Sequence, residues 1–414
     1  MKKIIIMLGL LALGGKPVYS DQLDLQTAVS RVVSNHPSLS VSEAEVLAAR
    51  AEAVQAGLWQ NPVFGAEAEN VFGSGNYSGG SAAEYTFSIS QSFEPGGKRS
   101  KRRKAAMLRS EVAEWGVSGR RRAVEQITIR AFYTSLAAQA RVALSQKQVK
   151  IAENVVESAE QRVAAGRAHR LEISRAELEL ADAELNQRNM QLALVTSKTM
   201  LAALWGGSGS DISSLKGYSQ QVVAPPTPEM LLLKLQQHPA LRRAEASIRQ
   251  RQAEAGAEDA ERIPAVDLGA GYRVLDGGDD QAFVLGVSIP LPFMNRNQGN
   301  REAARIRTLQ AQDQLMTVRL ELQQELLNRH QETQAAYTLV TGLKTRQLPV
   351  AEEAFRQATD GYEKGLFGSL DLLVAMRSLF DQEVRYINSL LKYHQALSEL
   401  ENMIAPGVAG STEK

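Results

Sequence analysis

The sequence predicts an α+β protein built by internal duplication, in which each half holds a leading helix, two short strands and a long helical hairpin. Three observations predict this fold: a motif that recurs about 200 residues later, period-2 stretches of strand length, and very long helical segments. The chain has 414 residues, a net charge of +1 and no cysteine. The small charge argues against a nucleic-acid partner, and the lack of cysteine excludes disulfides, thiolate metal sites and a lipid anchor on cysteine.

The first residues predict an export signal. Lys2 and Lys3 form a basic start, and the apolar run over residues 4–13 is too short to span a bilayer. Ser20 ends a small-x-small cleavage pattern. Residues 1–20 are therefore predicted to be a signal peptide, and the mature chain is predicted to begin at Asp21 in the cell envelope.

A repeated motif divides the mature chain into two halves. His36-Pro37 recurs as His238-Pro239, and farther along Gly166 recurs as Gly365 at nearly the same offset. A segment rich in Gly, Ser and Pro separates the halves and is typical of a linker. The predicted organisation is a first repeat over 21–206, a linker over 207–227, a second repeat over 228–404 and a short tail over 405–414.

Each half begins with a predicted helix, over 25–58 and over 228–262. The period-2 stretches that follow lie at 63–71, 85–93, 266–274 and 283–291. One face of each is apolar and the other polar, and each is near the ~9–11 residues that a tilted strand needs to cross a bilayer. The same pattern fits a half-buried soluble sheet. Four strands are too few to close a barrel, so either the sheet is soluble or several chains share one barrel.

The predicted helical hairpins are long. Residues 97–165 contain no proline and would form a rod of about 100 Å, with a shorter return helix over 171–204. The second half predicts an outward helix over 300–362, with a kink or break at Pro349, and a return over 370–403. Heptad-like apolar spacing favours coiled-coil packing. A structural or adhesive periplasmic rod with a soluble sheet is the alternative.

The residues together resemble the TolC-like outer-membrane efflux channels over essentially the whole mature chain. The resemblance rests on the duplication, the order of elements, and a tip motif that runs from Tyr362 through Gly365 to Asp371. The strand-to-helix junction at 91–99, Gln-Ser-Phe-Glu-Pro-Gly-Gly-Lys-Arg, is similar to that of the cobalt–zinc–cadmium resistance (CzcC-like) branch of this family.

The resemblance implies a homotrimer, in which four strands from each chain form one twelve-stranded outer-membrane β-barrel, continuous with a periplasmic α-helical coiled-coil barrel. It implies a passive exit duct of a tripartite efflux system, docked on a periplasmic adaptor (membrane fusion) protein that links it to an inner-membrane RND pump. The implied cargo is divalent heavy-metal cations, and organic solutes are the alternative. No hydrolase, zinc-protease, P-loop or dinucleotide motif occurs, so no enzymatic activity, cofactor or metal site is predicted.

Two acidic residues, Glu172 and Asp371, occupy matched positions at the starts of the returning helices. The resemblance implies a ring of carboxylates that narrows the tunnel mouth and selects cations. An acidic residue in the first turn of a helix also stabilises the helix dipole, which is the alternative role. The resemblance implies that Tyr362 helps to hold the channel shut by a hydrogen bond to the other hairpin, here to Glu172. Simple packing of Tyr362 at the hairpin tip is the alternative. Phe367 replaces a frequent arginine, so this latch is predicted to be incomplete.

Two further sets of residues are candidates for surface contacts. Gly166 and Gly365 are predicted to turn the hairpins in a left-handed conformation, and the resemblance implies that they dock the adaptor together with Arg167 and Leu366. A basic run at the strand-to-helix junction is predicted to face lipid headgroups, with a solvated helix face as the alternative. It consists of Lys98, Arg99, Lys101, Arg102, Arg103 and Lys104.

Overall fold

The computed structural model describes residues 22–80, 82–217, 222–275 and 280–404. The predicted signal peptide (1–20), the predicted tail (405–414) and parts of the linker and of the second strand–strand loop lie outside these residues. Within the described part, the α-helices are α1 (Leu25–Asn35), α2 (Pro37–Ala56), α3 (Lys98–Ala164), α4 (Leu171–Ala203), α5 (Pro228–Leu235), α6 (Pro239–Ala260), α7 (Gln298–Gly342), α8 (Leu348–Glu363) and α9 (Ser369–Ile404). The strands are β1 (Val63–Glu69), β2 (Glu84–Phe93), β3 (Val266–Val274) and β4 (Gln281–Ser288). The α+β class is confirmed, and no helix of the described residues is long and apolar enough to cross a bilayer.

The leading helix of each half is interrupted, so the prediction of one continuous helix is wrong in both halves. α1 ends before His36 and α2 begins at Pro37, while α5 and α6 are separated in the same way before Pro239. Proline has no N–H to continue a helix, but it fits the first helical turn, where that N–H would be unpaired. The repeated His-Pro motif is therefore a helix-start signal. In the second half, the Nδ1 atom of His238 accepts a hydrogen bond from the backbone N–H of Ala240 at 3.2 Å and caps α6.

The four strands form one antiparallel sheet in the order β1-β2-β3-β4. One row across it pairs Phe64 with Ile89, Ile89 with Ala270, and Ala270 with Leu285. Within the described residues, β1 and β4 each lack a strand partner on their outer side. β4 ends at Ser288, short of the predicted 291, because Pro290 has no N–H for a sheet hydrogen bond.

The sheet has one apolar and one polar face, as the alternating sequence predicts. Residues paired directly across antiparallel strands point to the same face. The apolar face is largely exposed in the chain, with Phe283 at 87% and Leu285 at 85%. On the opposite face Arg273 forms ion pairs with Glu69 at 2.8 Å and with Glu84 at 2.6 Å. A large apolar surface that a single chain leaves in contact with solvent indicates lipid or protein contact.

The predicted long helices are confirmed, with α3 reaching 67 residues. Between α7 and α8 the chain passes through a five-residue π-helical segment, Leu343–Gln347. Pro349 cannot donate to the carbonyl of Thr345, four residues earlier, and the wider π turn lies just before it. The predicted irregularity at Pro349 is therefore present, and helical structure continues on both sides of it.

The chain forms two compact units, and each takes segments from both halves of the sequence. The tip unit comprises the described residues up to His36 together with Ala123–Pro225 and Arg329–Asn402; the sheet unit comprises Pro37–Arg122, Pro226–Asn328 and the end of α9. In the tip unit, part of the described linker packs against the helices. Ile212 and Leu215 are buried against Phe132 of α3 and Leu201 of α4.

Candidate functional site

The ends of the two helical hairpins are the best-defined candidate site. At the first turn, Gly166 has a φ of 69°, and at the second, Gly365 has a φ of 72°. In the first turn the N–H of Arg167 donates to the carbonyl of Arg162 at 2.8 Å, and in the second the N–H of Leu366 donates to the carbonyl of Gly361 at 2.8 Å. These are matching helix C-caps that require a left-handed residue. The predicted turn conformation of both glycines is confirmed.

The side chain of Tyr362 crosses from α8 to the first hairpin. It is 1% exposed and belongs to the apolar core of the tip unit. Its hydroxyl donates a hydrogen bond to the Oε2 atom of Glu172 at 3.2 Å. Burial and the neighbouring Glu172 carboxylate raise the pKa of Tyr362 above its usual value, so the phenol keeps the proton that it donates. The predicted hydrogen bond is confirmed, while its role in closing a channel stays a prediction.

The sequence analysis missed a third member of this cluster, Arg162. Its guanidinium lies over the Tyr362 ring, 4.3 Å from the ring centroid, and its Nη1 atom donates to the Tyr362 carbonyl. Its Nε atom is buried, lies 3.9 Å from the Glu172 carboxylate, and has no hydrogen-bond partner among the described residues. We call Arg162, Glu172 and Tyr362 the latch triad. It joins α3, α4 and α8.

A signal for Arg162 exists in the repeat itself. Arg162 stands four residues before the tip Gly166, and the matched residue before Gly365 is Gly361. The Phe367 ring lies over Gly361 so closely that an added Cβ would be 2.1 Å from the ring. An alignment of the two halves thus matches an arginine in the first half with a glycine in the second.

The two matched acidic residues differ in their surroundings. The Glu172 side chain is 18% exposed and lies beside Arg162. Asp371 is exposed, and its Oδ2 atom accepts a hydrogen bond from the N–H of Gly368 at 3.2 Å. This contact satisfies one of the backbone N–H groups that have no partner within the helix at the start of α9. Asp371 therefore has the alternative role named above, in which it stabilises the start of the helix. Arg167 and Leu366, the predicted docking residues, are both exposed.

A second charged contact ties the returning helices together. Glu179 of α4 is 4% exposed, and its Oε2 atom accepts a hydrogen bond from the Nε atom of Arg377 of α9 at 2.7 Å. This hydrogen bond raises the pKa of Arg377 above its usual value. A hydrogen-bonded ion pair therefore joins the two returning helices.

The basic run divides into two faces of α3. Lys98 is buried and paired with Glu261 at 3.0 Å. Arg102, one turn later, forms two hydrogen bonds to Glu94, both at 2.7 Å, and these hold the pKa of Glu94 below its usual value. Two of the six predicted lipid contacts are thus engaged inside the protein. The prediction remains open for Arg99, Lys101, Arg103 and Lys104.

The capping histidine of α6 gives a testable pH dependence. Burial of the ring, with a smaller contribution from Arg122, lowers the pKa of His238 from 6.5 to about 4. As the pH falls, the unfolded state binds a proton at this histidine at a higher pH than the folded state does. The contribution of neutral His238 to the free energy of unfolding is therefore complete above pH 6.5 and is lost as the pH falls from 6.5 towards 4. We expect the thermal midpoint of the purified protein to fall more steeply across this range than that of a His238→Asn variant, which keeps a capping acceptor. Parallel curves would contradict this assignment.

Comparison with known proteins defines the class. A family model described as "Outer membrane efflux protein" matches residues 28–207 and 231–405. The chain therefore belongs to the outer membrane efflux protein family. It is a transport channel of the outer membrane and not an enzyme. The predicted resemblance to efflux channels is confirmed.

Individual relatives are similar along most of their length. The chain is 31% identical over 382 residues to the cobalt-zinc-cadmium resistance protein CzcC of Cupriavidus metallidurans, covering 92% of this chain and 90% of that protein. It is 29% identical over 314 residues to the nickel-cobalt-cadmium resistance protein NccC of Alcaligenes xylosoxydans xylosoxydans, covering 74% and 68%. Its fold is similar to that of the outer membrane protein VceC of Vibrio cholerae, with a TM-score of 0.74 at 21% identity, covering 92% of this chain and 96% of that one.

Proposed function

We propose that three copies of this chain form the outer-membrane exit duct of a tripartite RND-type efflux system. The observation that carries the proposal is the four-stranded sheet, which is apolar on one face, polar on the other and unpaired along both edges. Open edges are not tolerated in lipid because each unpaired backbone group costs several kcal/mol. Joining β4 of one copy to β1 of the next removes the edges, and three copies give a closed twelve-stranded barrel around a polar lumen.

The helices offer a second surface for assembly. Along α4, leucines recur at intervals of seven residues and are 50–66% exposed in the single chain. They are Leu171, Leu178, Leu185 and Leu192. An apolar seam with this spacing is typical of a coiled coil, and the described residues leave it exposed. We assign it to a neighbouring copy in a periplasmic helical tunnel. The repeats over 21–206 and 228–404, with the linker over 207–227, would then contribute alternating sectors of that tunnel.

In this assembly the latch triad would hold the tunnel end narrow. Asp371, exposed beside the second tip, would line the mouth three times, and ringed carboxylates attract cations. Glu172 would hold the two hairpins together through Tyr362 and join the cation-selecting ring only after the latch opens. Gly166 and Arg167 with Gly365 and Leu366 would meet the periplasmic adaptor, which connects the duct to the inner-membrane pump.

The proposed cargo is divalent heavy-metal cations. The similarity to CzcC and NccC, which are named for metal resistance, supports this cargo. The duct would conduct ions that the pump has selected and driven, so the proposal requires no tight metal site within it.

Growth of a deletion strain tests the cargo. We expect the strain to become sensitive to at least one of cobalt, zinc, cadmium or nickel, and the intact gene to restore growth. A gene that carries Asp371→Asn is tested for the same restoration of growth, as the variant of the proposed cation-selecting ring. Sensitivity to organic drugs without sensitivity to any metal would contradict the cargo. Recovery of the protein as a monomer in the aqueous periplasmic fraction would contradict the duct.

A further inference from the structure

A cleft lies beside the basic run, between the end of α2 and the first three turns of α3. It has a volume of about 550 Å³. Three cationic side chains, a hydroxyl and two apolar side chains line it; the lining includes Gly57, Arg99, Ser100, Arg103, Lys104 and Met107. No acidic side chain among the described residues lines it.

The spacing of the basic residues along α3 explains why the cations of this cleft are not neutralised. Lys98 and Arg102 are four residues apart, share one face of α3 and are neutralised by Glu261 and Glu94. Arg99 and Arg103 are also four residues apart and lie on a neighbouring face. Within the described residues Arg99, Arg103 and Lys104 form no ion pair. The cleft therefore gathers three positive charges that no ion pair within the described residues neutralises.

The cleft adjoins the helix-bearing end of the apolar sheet face. The guanidinium of Arg99 lies 4.1 Å from the centroid of the Trp59 ring. Trp59 packs edge-on against Phe93, the last residue of β2, with the ring centroids 6.2 Å apart. Trp59 is 54% exposed. A tryptophan at the end of an apolar strand face, followed by cations, is the arrangement found where a membrane protein meets the headgroup layer.

We propose that this cleft binds the headgroup of an anionic phospholipid of the periplasmic leaflet. The phosphate lies between Arg99 and Arg103, Lys104 adds a third positive charge, and the acyl chains run over Trp59 towards the apolar sheet face. Arginine suits this role because its planar guanidinium forms two parallel hydrogen bonds to phosphate oxygens. The site rests on the proposed insertion of the sheet in the membrane, and it narrows the lipid contact from the whole basic run to one face of α3.

Native mass spectrometry of the detergent-purified full chain tests the site. Phosphatidylglycerol, phosphatidylcholine of the same chain length, and inorganic phosphate are titrated separately. We expect phosphatidylglycerol to bind in preference to the other two. The Arg99→Gln/Arg103→Gln variant should weaken this binding by about 25-fold, since each basic side chain near an anionic lipid contributes about fivefold. The Lys101→Gln/Arg120→Gln control loses the same charge outside the cleft and should bind as the wild type does.

A steric variant separates the site from general electrostatics. Gly57→Leu keeps every charge but fills the cleft, because even a Cβ at this position would lie 3.0 Å from the Cδ atom of Arg103. It should lose phosphatidylglycerol selectivity as well. Equal lipid binding by the double variant and its control would overturn the proposal, and so would full displacement of the lipid by millimolar inorganic phosphate. The presence of the protein in the outer-membrane fraction is measured separately. Its absence from that fraction would contradict the proposed duct and not only this site.

Discussion

Removal of the latch triad is expected to open the channel. In planar bilayers, purified Arg162→Gln protein should show a larger open fraction and a higher mean conductance than the wild type. The substitution removes the cation that stacks on Tyr362 and the charge beside the half-buried Glu172 carboxylate. The substitution also removes the hydrogen bond that Arg162 donates to the Tyr362 carbonyl. A charge-assisted hydrogen bond is worth ~1.5–3 kcal/mol, which corresponds to a shift of about 10-fold to 150-fold in the equilibrium of each chain.

Two further variants give this experiment its controls. Tyr362→Phe keeps the ring in the apolar core but removes the hydroxyl that donates to Glu172, so it should open the channel by a smaller factor. Arg167→Gln removes the same charge as Arg162→Gln from an exposed position five residues away and should leave conductance unchanged. If all three proteins conduct alike, the triad does not hold the tunnel closed.

Loss of Arg377 is expected to be the most destabilising single charge removal in the tip unit. Arg377→Leu leaves the Glu179 carboxylate buried without the partner that now bonds it at 2.7 Å. Breaking a buried pair in this way costs ~3–5 kcal/mol. Because the Arg377 side chain is 59% exposed, we expect a value at the low end of that range. The thermal midpoint of the purified protein should fall by several degrees.

A double variant shows whether the cost comes from the unpaired carboxylate. Arg377→Leu/Glu179→Leu should be more stable than Arg377→Leu alone, because the buried charge is gone. Arg385→Leu, an exposed arginine on the same helix without a buried partner, should leave the midpoint almost unchanged. A double variant no more stable than Arg377→Leu would show that the unpaired carboxylate is not the origin of the effect.

The parts of the fold that depend on local chemistry could be read from the sequence. A positive φ at Gly166 follows from glycine at a helix end, and the alternation in β3 follows from the pleat of a strand. The interruption before Pro37 was also legible, since proline starts helices more readily than it continues them. The sequence analysis used that motif only to align the repeats.

Contacts between distant segments could not be read in the same way. Arg162 is 200 residues from Tyr362, and nothing in the periodicity of α3 distinguishes it from the other arginines of that helix. Burial of Lys98 depends on Glu261, which belongs to the other half of the sequence. In both cases the sequence shows the charged residue but not its partner. The partner is brought into contact by packing between segments that lie far apart in the sequence, and the spacing of residues does not relate those segments.

The two unpaired edges of the sheet have a consequence for biogenesis. A chain that has folded but has not met its neighbours presents two strands ready to pair with any extended segment. Its exposed apolar face adds to the same hazard. In the proposed trimer, folding and assembly would therefore be coupled, and the yield of assembled protein should depend on the concentration of newly made chains. Unassembled chains are the form on which envelope chaperones and proteases would act.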